Sequence, residues 1–311
     1  MNKPLFQIAL ALGLQLSLAA SAQQPEAVQP QTQSSQIALR VPNFARGLVA
    51  RWVAEYRKTN PNIDFQFVTG KSHNQENSIL LTTDADGVQV ARLAVLPVTV
   101  KGSEAERLVG SRALNAKRLQ QLFFVSDDLD EDQEQPTAAR QLHIVTGNSQ
   151  QSASRLYARS FHQTTVNYRG KKVSGDDSFL NLAISRDPLS VTVSSLPDIF
   201  DLESRQLRPS LALLPLDVDK QGRQVLSGGR LDDILQLLER EHYDEIPVGS
   251  IGFEYSHANP VLTSFVQWVL QNGTQYVHQY GLLALPQKEL TAQQRRLGQK
   301  DLAQKTIDTK L

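Results

Sequence analysis

The chain has 311 residues, with 32 basic and 32 acidic side chains and no cysteine. A net charge of zero leaves no basic field to recruit nucleic acid or an anionic membrane surface. Without cysteine, disulfides, thiolate metal sites and a lipid-modified cysteine are excluded, so a chain of this length must rest on an apolar core.

In chain order, residues 1–22 read as an export signal. Lys3 supplies the positive start, residues 5–18 an apolar run too short for a membrane span, and Ala20-Ser21-Ala22 a small-x-small cleavage site. The expected product is periplasmic, with no membrane anchor after cleavage. Residues 23–35, rich in Gln, Pro and Ser, lack periodicity and read as a disordered tether.

Alternating elements follow. Residues 36–41 form a strand candidate. Residues 44–58 predict an amphipathic helix with Leu48, Val49, Trp52, Val53 and Tyr56 on one face, ended by Asn60-Pro61-Asn62. Residues 63–68 alternate apolar and polar side chains as a strand does. A polar loop, 69–77, leads into a second helix expected around 78–82. Residues 91–100 are β-rich, 115–124 a short helix with Leu119, Leu122 and Phe123 inward, 142–145 a strand and 150–161 a helix. Residues 211–217 read as a further strand. Near the end, Asn259 can cap a helix whose first turn suits Pro260, and Leu262, Phe265, Val266 and Val269 form one buried stripe. Gly273 is expected to stop this helix, Thr274 to cap another, and an extended segment to close at Pro286. The Gln- and Lys-rich residues 287–311 predict a frayed, partly helical polar tail. Strand–helix alternation of this kind predicts an α/β architecture with largely parallel sheets.

Several motifs in order resemble the phosphate-binding proteins of ABC importers. Gly273, Val277, Gly281 and Leu285-Pro286 match the family's C-terminal signature, and Trp52 with Tyr56 matches its first-helix ending. Residues 93–100 and Leu119-Gln120-Gln121-Leu122-Phe123 are similar to its central strand and following helix, and 243–255 to its returning strand, without the Arg usual there. The resemblance implies an α/β, two-lobed periplasmic binding protein (type II-like) with two interlobe crossings, near 96–100 and 211–217, and a ligand cleft. Residues 36–97 and 213–286 would then form lobe 1, and 98–212 lobe 2.

The resemblance also implies where a ligand would sit: at helix N-termini, where unpaired N–H groups and the helix dipole favour an anion. Three loops are expected to supply donors. In the first, 40–47, the family's hydroxyls are gone, leaving Asn43, which can equally be an N-cap, and Arg46. In the second, 69–78, Lys71, Ser72 and Asn74 could face the cleft. In the third, 146–155, Thr146 stands near the family's anion-clamping Arg, and Asn148, Ser149 and Ser152 remain as donors or caps. A phosphate site needs many converging donors and a fixed cation, so these departures argue against phosphate. The function expected is a non-catalytic solute-binding protein holding a small ligand, with an oxyanion as one candidate class, for an ABC permease or sensor. The alternative is a degenerate scaffold acting as a periplasmic protein-interaction module without a small ligand.

Other chemistry is not assembled. Gly70-Lys71-Ser72 lacks the phosphate-loop glycine, since Phe65 stands there. The acidic run 127–134 has Gln133 and Ala139 where a calcium loop needs Gly and Glu. The six histidines have no paired metal spacing, Val248-Gly249-Ser250-Ile251-Gly252 is out of frame for a nucleophile elbow, and no cofactor is implied.

Overall fold

The protein is described here by a computed structural model covering residues 35–70, 76–83, 87–125, 140–149, 152–174 and 177–308. The expected export signal, nearly all of the tether, the loop residues Lys71, Ser72 and Asn74, and the acidic run lie outside the described residues.

The elements run β1 (Ser35–Arg40), α1 (Asn43–Arg57), β2 (Ile63–Phe67), β3 (Ser78–Thr82), β4 (Val88–Val100), α2 (Glu104–Val109), α3 (Ala116–Phe123), β5 (His143–Gly147) and α4 (Ala153–Ser160). There follow β6 (Lys171–Val173), α5 (Ser178–Ile184), β7 (Ser190–Ser195), α6 (Leu196–Ile199), the small hairpin β8 (Phe200–Asp201) and β9 (Gln206–Leu207), β10 (Leu211–Leu213), α7 (Lys220–Gly228) and α8 (Leu231–Arg240). β11 (Val248–Tyr255), α9 (Pro260–Trp268), short π and 3-10 turns to Tyr280 and α10 (Gln287–Asp308) complete the described chain.

Among the described residues, nine strands join one mixed sheet in the order β2-β1-β3-β11-β4-β7-β5-β6, with β10 beside β4, and β8 and β9 pair separately. The expectation of largely parallel pairing is corrected. β1 pairs in parallel with β2 and β3, and β5 with β6 and β7, but β11 and β4 meet their neighbours antiparallel. The reason is that β4 and β11 come from distant parts of the chain and return through the sheet instead of being linked by a helical crossover.

The helix expected at 78–82 is instead β3. A five-residue run, Ser-Ile-Leu-Leu-Thr, is too short for periodicity to separate strand from helix. Its slot decides the matter: β3 pairs in parallel with β1 over residues 78–80 and antiparallel with β11 over residues 79–82, so its backbone groups find ladder partners on both sides.

β4 ties the architecture together. Residues 88–94 pair with β11, residues 95–99 with β7, and 98–100 with β10. The two stretches expected to cross between lobes therefore lie side by side, with Val98 opposite Leu213 and Val100 opposite Leu211.

The C-terminal segment docks on α1. Leu48, Val49, Trp52, Val53 and Tyr56 are buried along one face of that helix. The indole N–H of Trp52 donates to the Gly273 carbonyl at 2.8 Å, and its ring meets Phe253 edge-on at 5.8 Å. Tyr56 packs edge-on against Phe65, Phe265 and Trp268. Each such ring contributes on the order of 2–3 kcal/mol through burial alone. Asn259 caps α9 as expected, its Oδ1 accepting from the N–H groups of Val261 and Leu262. Past Trp268 the chain continues through a π turn and two 3-10 turns, and Thr274 makes no side-chain cap, so the clean stop and restart expected at Gly273 is replaced by a continuous tightening coil. Gly281, at φ 71°, ends it, and Leu283 then exchanges two backbone hydrogen bonds with Arg92 of β4.

The polar tail is a helix from its first residue. Leu297 is buried against the core, and the Gln294 amide donates to the Leu270 carbonyl at 2.9 Å. Two apolar residues per few turns are enough to dock a helix that propensity alone would leave frayed. Among the described residues no helix is long and apolar enough to cross a membrane.

Candidate functional site

β1, β2 and β5 all end facing one cleft of about 490 Å³. Its lining comes from the residues that follow each strand: 40–44 after β1, 68–70 after β2, and Asn148, Ser149 and Ser152 after β5, joined by Asp177. Loops at the carboxyl ends of parallel strands are the usual ligand position in α/β sheets, since helices there point their N-termini at the opening. Here α1 and α4 do so.

The two N-termini are finished differently. At α1 the N-cap is Pro42, which has no side chain to offer, so Asn43 is the first helical residue and not the cap expected for it. Pro42 is buried and holds the extended geometry a cap needs, while Asn43 is exposed and lines the cleft. Arg46 lies one turn further on, outside the lining, with its guanidinium 4.7 Å from the centroid of the Phe67 ring. Among the described residues, Arg40, at the end of β1, is the cation that lines the cleft.

At α4 the protein uses its own side chains. Ser152 is the N-cap: its Oγ accepts from the Arg155 N–H at 3.1 Å and donates to the Ser149 carbonyl at 2.8 Å, so both functions of the hydroxyl are engaged. Ser154 turns its hydroxyl back to accept from the Gly147 N–H at 2.9 Å. The Ala153 N–H donates to the carboxylate of Asp177, which is only 5% exposed. Gly147 makes room: a Cβ there would stand 2.5 Å from Asp177 Oδ1. Asn148 and Ser149 remain at the cleft edge, with the Asn148 amide donating to Ser174 Oγ at 3.1 Å.

The structure thus brings Asn43, Asn148, Ser149 and Ser152 around one opening and leaves Arg46 beside it. Sequence reasoning missed Asp177 and Arg40. Asp177 precedes α5 and occupies its N-cap position, yet makes no side-chain cap there; the carboxylate reaches across to the N-terminus of α4 instead. An Asp before a helix reads as that helix's cap, so nothing local pointed to the cleft.

A second hollow of about 570 Å³ lies at the opposite end of β5, where His143 and Asp187 are 2.7 Å apart and Arg140, Arg169 and Lys171 contribute positive charge.

No family model matches the sequence, and no curated protein matches it. Among solved structures, a protein assigned as a phosphate ABC transporter substrate-binding protein with bound phosphate, from Clostridium perfringens, is similar at 11% identity and a TM-score of 0.50 over 81% of this chain and 100% of its own. An ABC-type phosphate transport receptor from Vibrio cholerae is 13% identical over 80% of this chain and 100% of its own, at a TM-score of 0.46. At this identity the likeness bears on fold. The fold is that of a two-lobed, type II-like periplasmic binding protein.

Proposed function

We propose that this chain is an exported, non-catalytic solute-binding protein that holds a small ligand in the cleft and passes it to an importer permease or a sensor. The observation that carries this reading is the convergence of three strand ends and two helix N-termini on one cleft, with polar groups at its rim. Residues 36–97 and 213–286 form one lobe in this reading and 98–212 the other. They hinge where β4 and β10 run side by side, so closing needs only small backbone changes at two strands. Asn43, Asn148 and Ser149 are the ligand-facing polar groups among the described residues, Arg46, Lys71, Ser72 and Asn74 are proposed as further ligand-binding residues, and Ser152 orders the third loop. Residues 1–22 direct export to the periplasm.

The test is a thermal-shift screen of the purified protein against sugars, amino acids, polyamines and oxyanions. Binding to the folded state raises Tm with the logarithm of ligand concentration. A reproducible, saturable rise from one class supports the reading, and a flat response across the panel overturns it. The second reading, a protein-interaction module, is favoured by the Ala153 and Arg155 N–H groups of α4 already being taken by Asp177 and Ser152. It predicts that flat response together with retention of a specific protein partner.

A further inference from the structure

We infer that Asp177 is the specificity-determining residue of the cleft: its carboxylate stands on α4 where an oxyanion would bind, so that this site rejects oxyanions and accepts a ligand that presents hydrogen-bond donors, an ammonium or hydroxyl group. The inference rests on the solute-binding reading for the ligand, but the exclusion of anions does not.

Three observations support it. The N-terminus of an α-helix carries free N–H groups and the positive end of the dipole, and any anion placed there is held by both. At α4 that anion is already supplied by the chain, since the Ala153 N–H donates to Asp177 and the Arg155 N–H to Ser152 Oγ. The placement is built in. Asp177 comes from 24 residues further along, sits at the N-cap position of α5 without capping it, and packs closely over Gly147, where any Cβ would collide with Oδ1. The carboxylate is also part of the cleft lining, in which, among the described residues, Arg40 is the other charged side chain. A phosphate or sulfate entering near α4 would find the Ala153 N–H taken by Asp177 and the Arg155 N–H by Ser152, and would meet a like charge. Like charges brought together in a partly desolvated site oppose binding strongly. The same carboxylate is a ready acceptor for a donor-bearing ligand.

The experiment compares the unsubstituted protein with Asp177→Ala and Asp177→Asn, using inorganic phosphate and sulfate as probes in calorimetric and thermal-shift titrations. The expected result is no saturable anion response in the unsubstituted chain. Asp177→Ala frees the Ala153 N–H and removes the opposing charge, and should bind phosphate at least about tenfold more tightly, with Asp177→Asn intermediate because charge is removed but volume kept. Saturable phosphate binding by the unsubstituted chain of equal strength overturns the inference. So does the absence of any gain in folded variants. If Asp177→Ala does not fold, Asp177→Asn decides. An Asn variant that is unfolded alone and recovered by phosphate supports the inference, and one that phosphate does not recover overturns it. These outcomes are independent of whether a natural ligand is found, so a failed ligand screen and a failed anion test are distinguishable.

Discussion

The seam between α1 and the C-terminal segment and the wall of the cleft around α4 are built on opposite principles. At the seam, Trp52, Tyr56, Phe65, Phe253 and Phe265 bury large rings against one another, and the polar contacts are few, the Trp52 indole N–H to the Gly273 carbonyl and the Tyr56 hydroxyl to Ser264 Oγ. At the wall, Ser149, Ser152, Ser154, Gly147 and Asp177 bury few apolar atoms and instead satisfy each other's hydrogen bonds around a helix end. The seam tolerates many ring arrangements because dispersion and burial are nearly non-directional. The wall works only in one geometry, because a hydrogen bond weakens steeply once misaligned.

This contrast can be broken at several points. Trp52→Ala should have the largest effect, a loss of about 3–5 kcal/mol in denaturant unfolding, since it removes a fully buried ring and leaves a cavity beside Gly273. A loss below about 1 kcal/mol would mean that the seam does not hold the C-terminal segment in place. Gly147→Ala should cost about 1–3 kcal/mol, because the new methyl group meets the buried Asp177 carboxylate. If the carboxylate swings away instead, stability should be largely retained and the phosphate response of the Asp177 variants should appear, which separates the two outcomes. Ser152→Ala removes the α4 cap and should cost about 1 kcal/mol.

The smallest effect lies outside both regions. The hydrogen bond from His143 holds the Asp187 carboxyl below the usual carboxylate range; desolvation, the next effect in size, opposes it, and the Leu189 N–H and Ser190 hydroxyl add smaller lowering contributions. A carboxyl with a lowered folded pKa stabilises the fold above its unfolded pKa of about 3.9, and that contribution is lost as pH falls through the folded value. Tm of the unsubstituted protein should therefore drop more steeply than that of Asp187→Asn below about pH 4. Parallel curves would count against this account. The pair is exposed, so the difference should be small.

The seam was legible because its signal is periodic. Leu48, Trp52 and Tyr56 recur at helical spacing, as do Leu262, Phe265 and Val269, and each set is buried. The Asn259-Pro260 start was legible because capping is a local matter of one side chain and the next turn. The cleft was legible as a location, since strand ends followed by polar loops and helix starts mark it, and Asn43, Asn148, Ser149 and Ser152 do line it. Its chemistry was not. Ser152 has the same composition whether it serves a ligand or its own helix, and the Ser149 carbonyl that engages its hydroxyl is a backbone group that sequence does not single out.

By itself the sequence determined which segments are helices and strands wherever apolar periodicity ran long enough, and which faces are buried, because burial follows residue type. It could not determine β3, whose five residues become a strand only between β1 and β11, nor the mixed direction of the sheet, which depends on where β4 and β11 return. Only the tertiary structure decided that Asp177 leaves its own helix to finish α4. A carboxylate takes whichever free N–H groups the fold brings within reach, and proximity across 24 residues is a property of packing, not of local sequence.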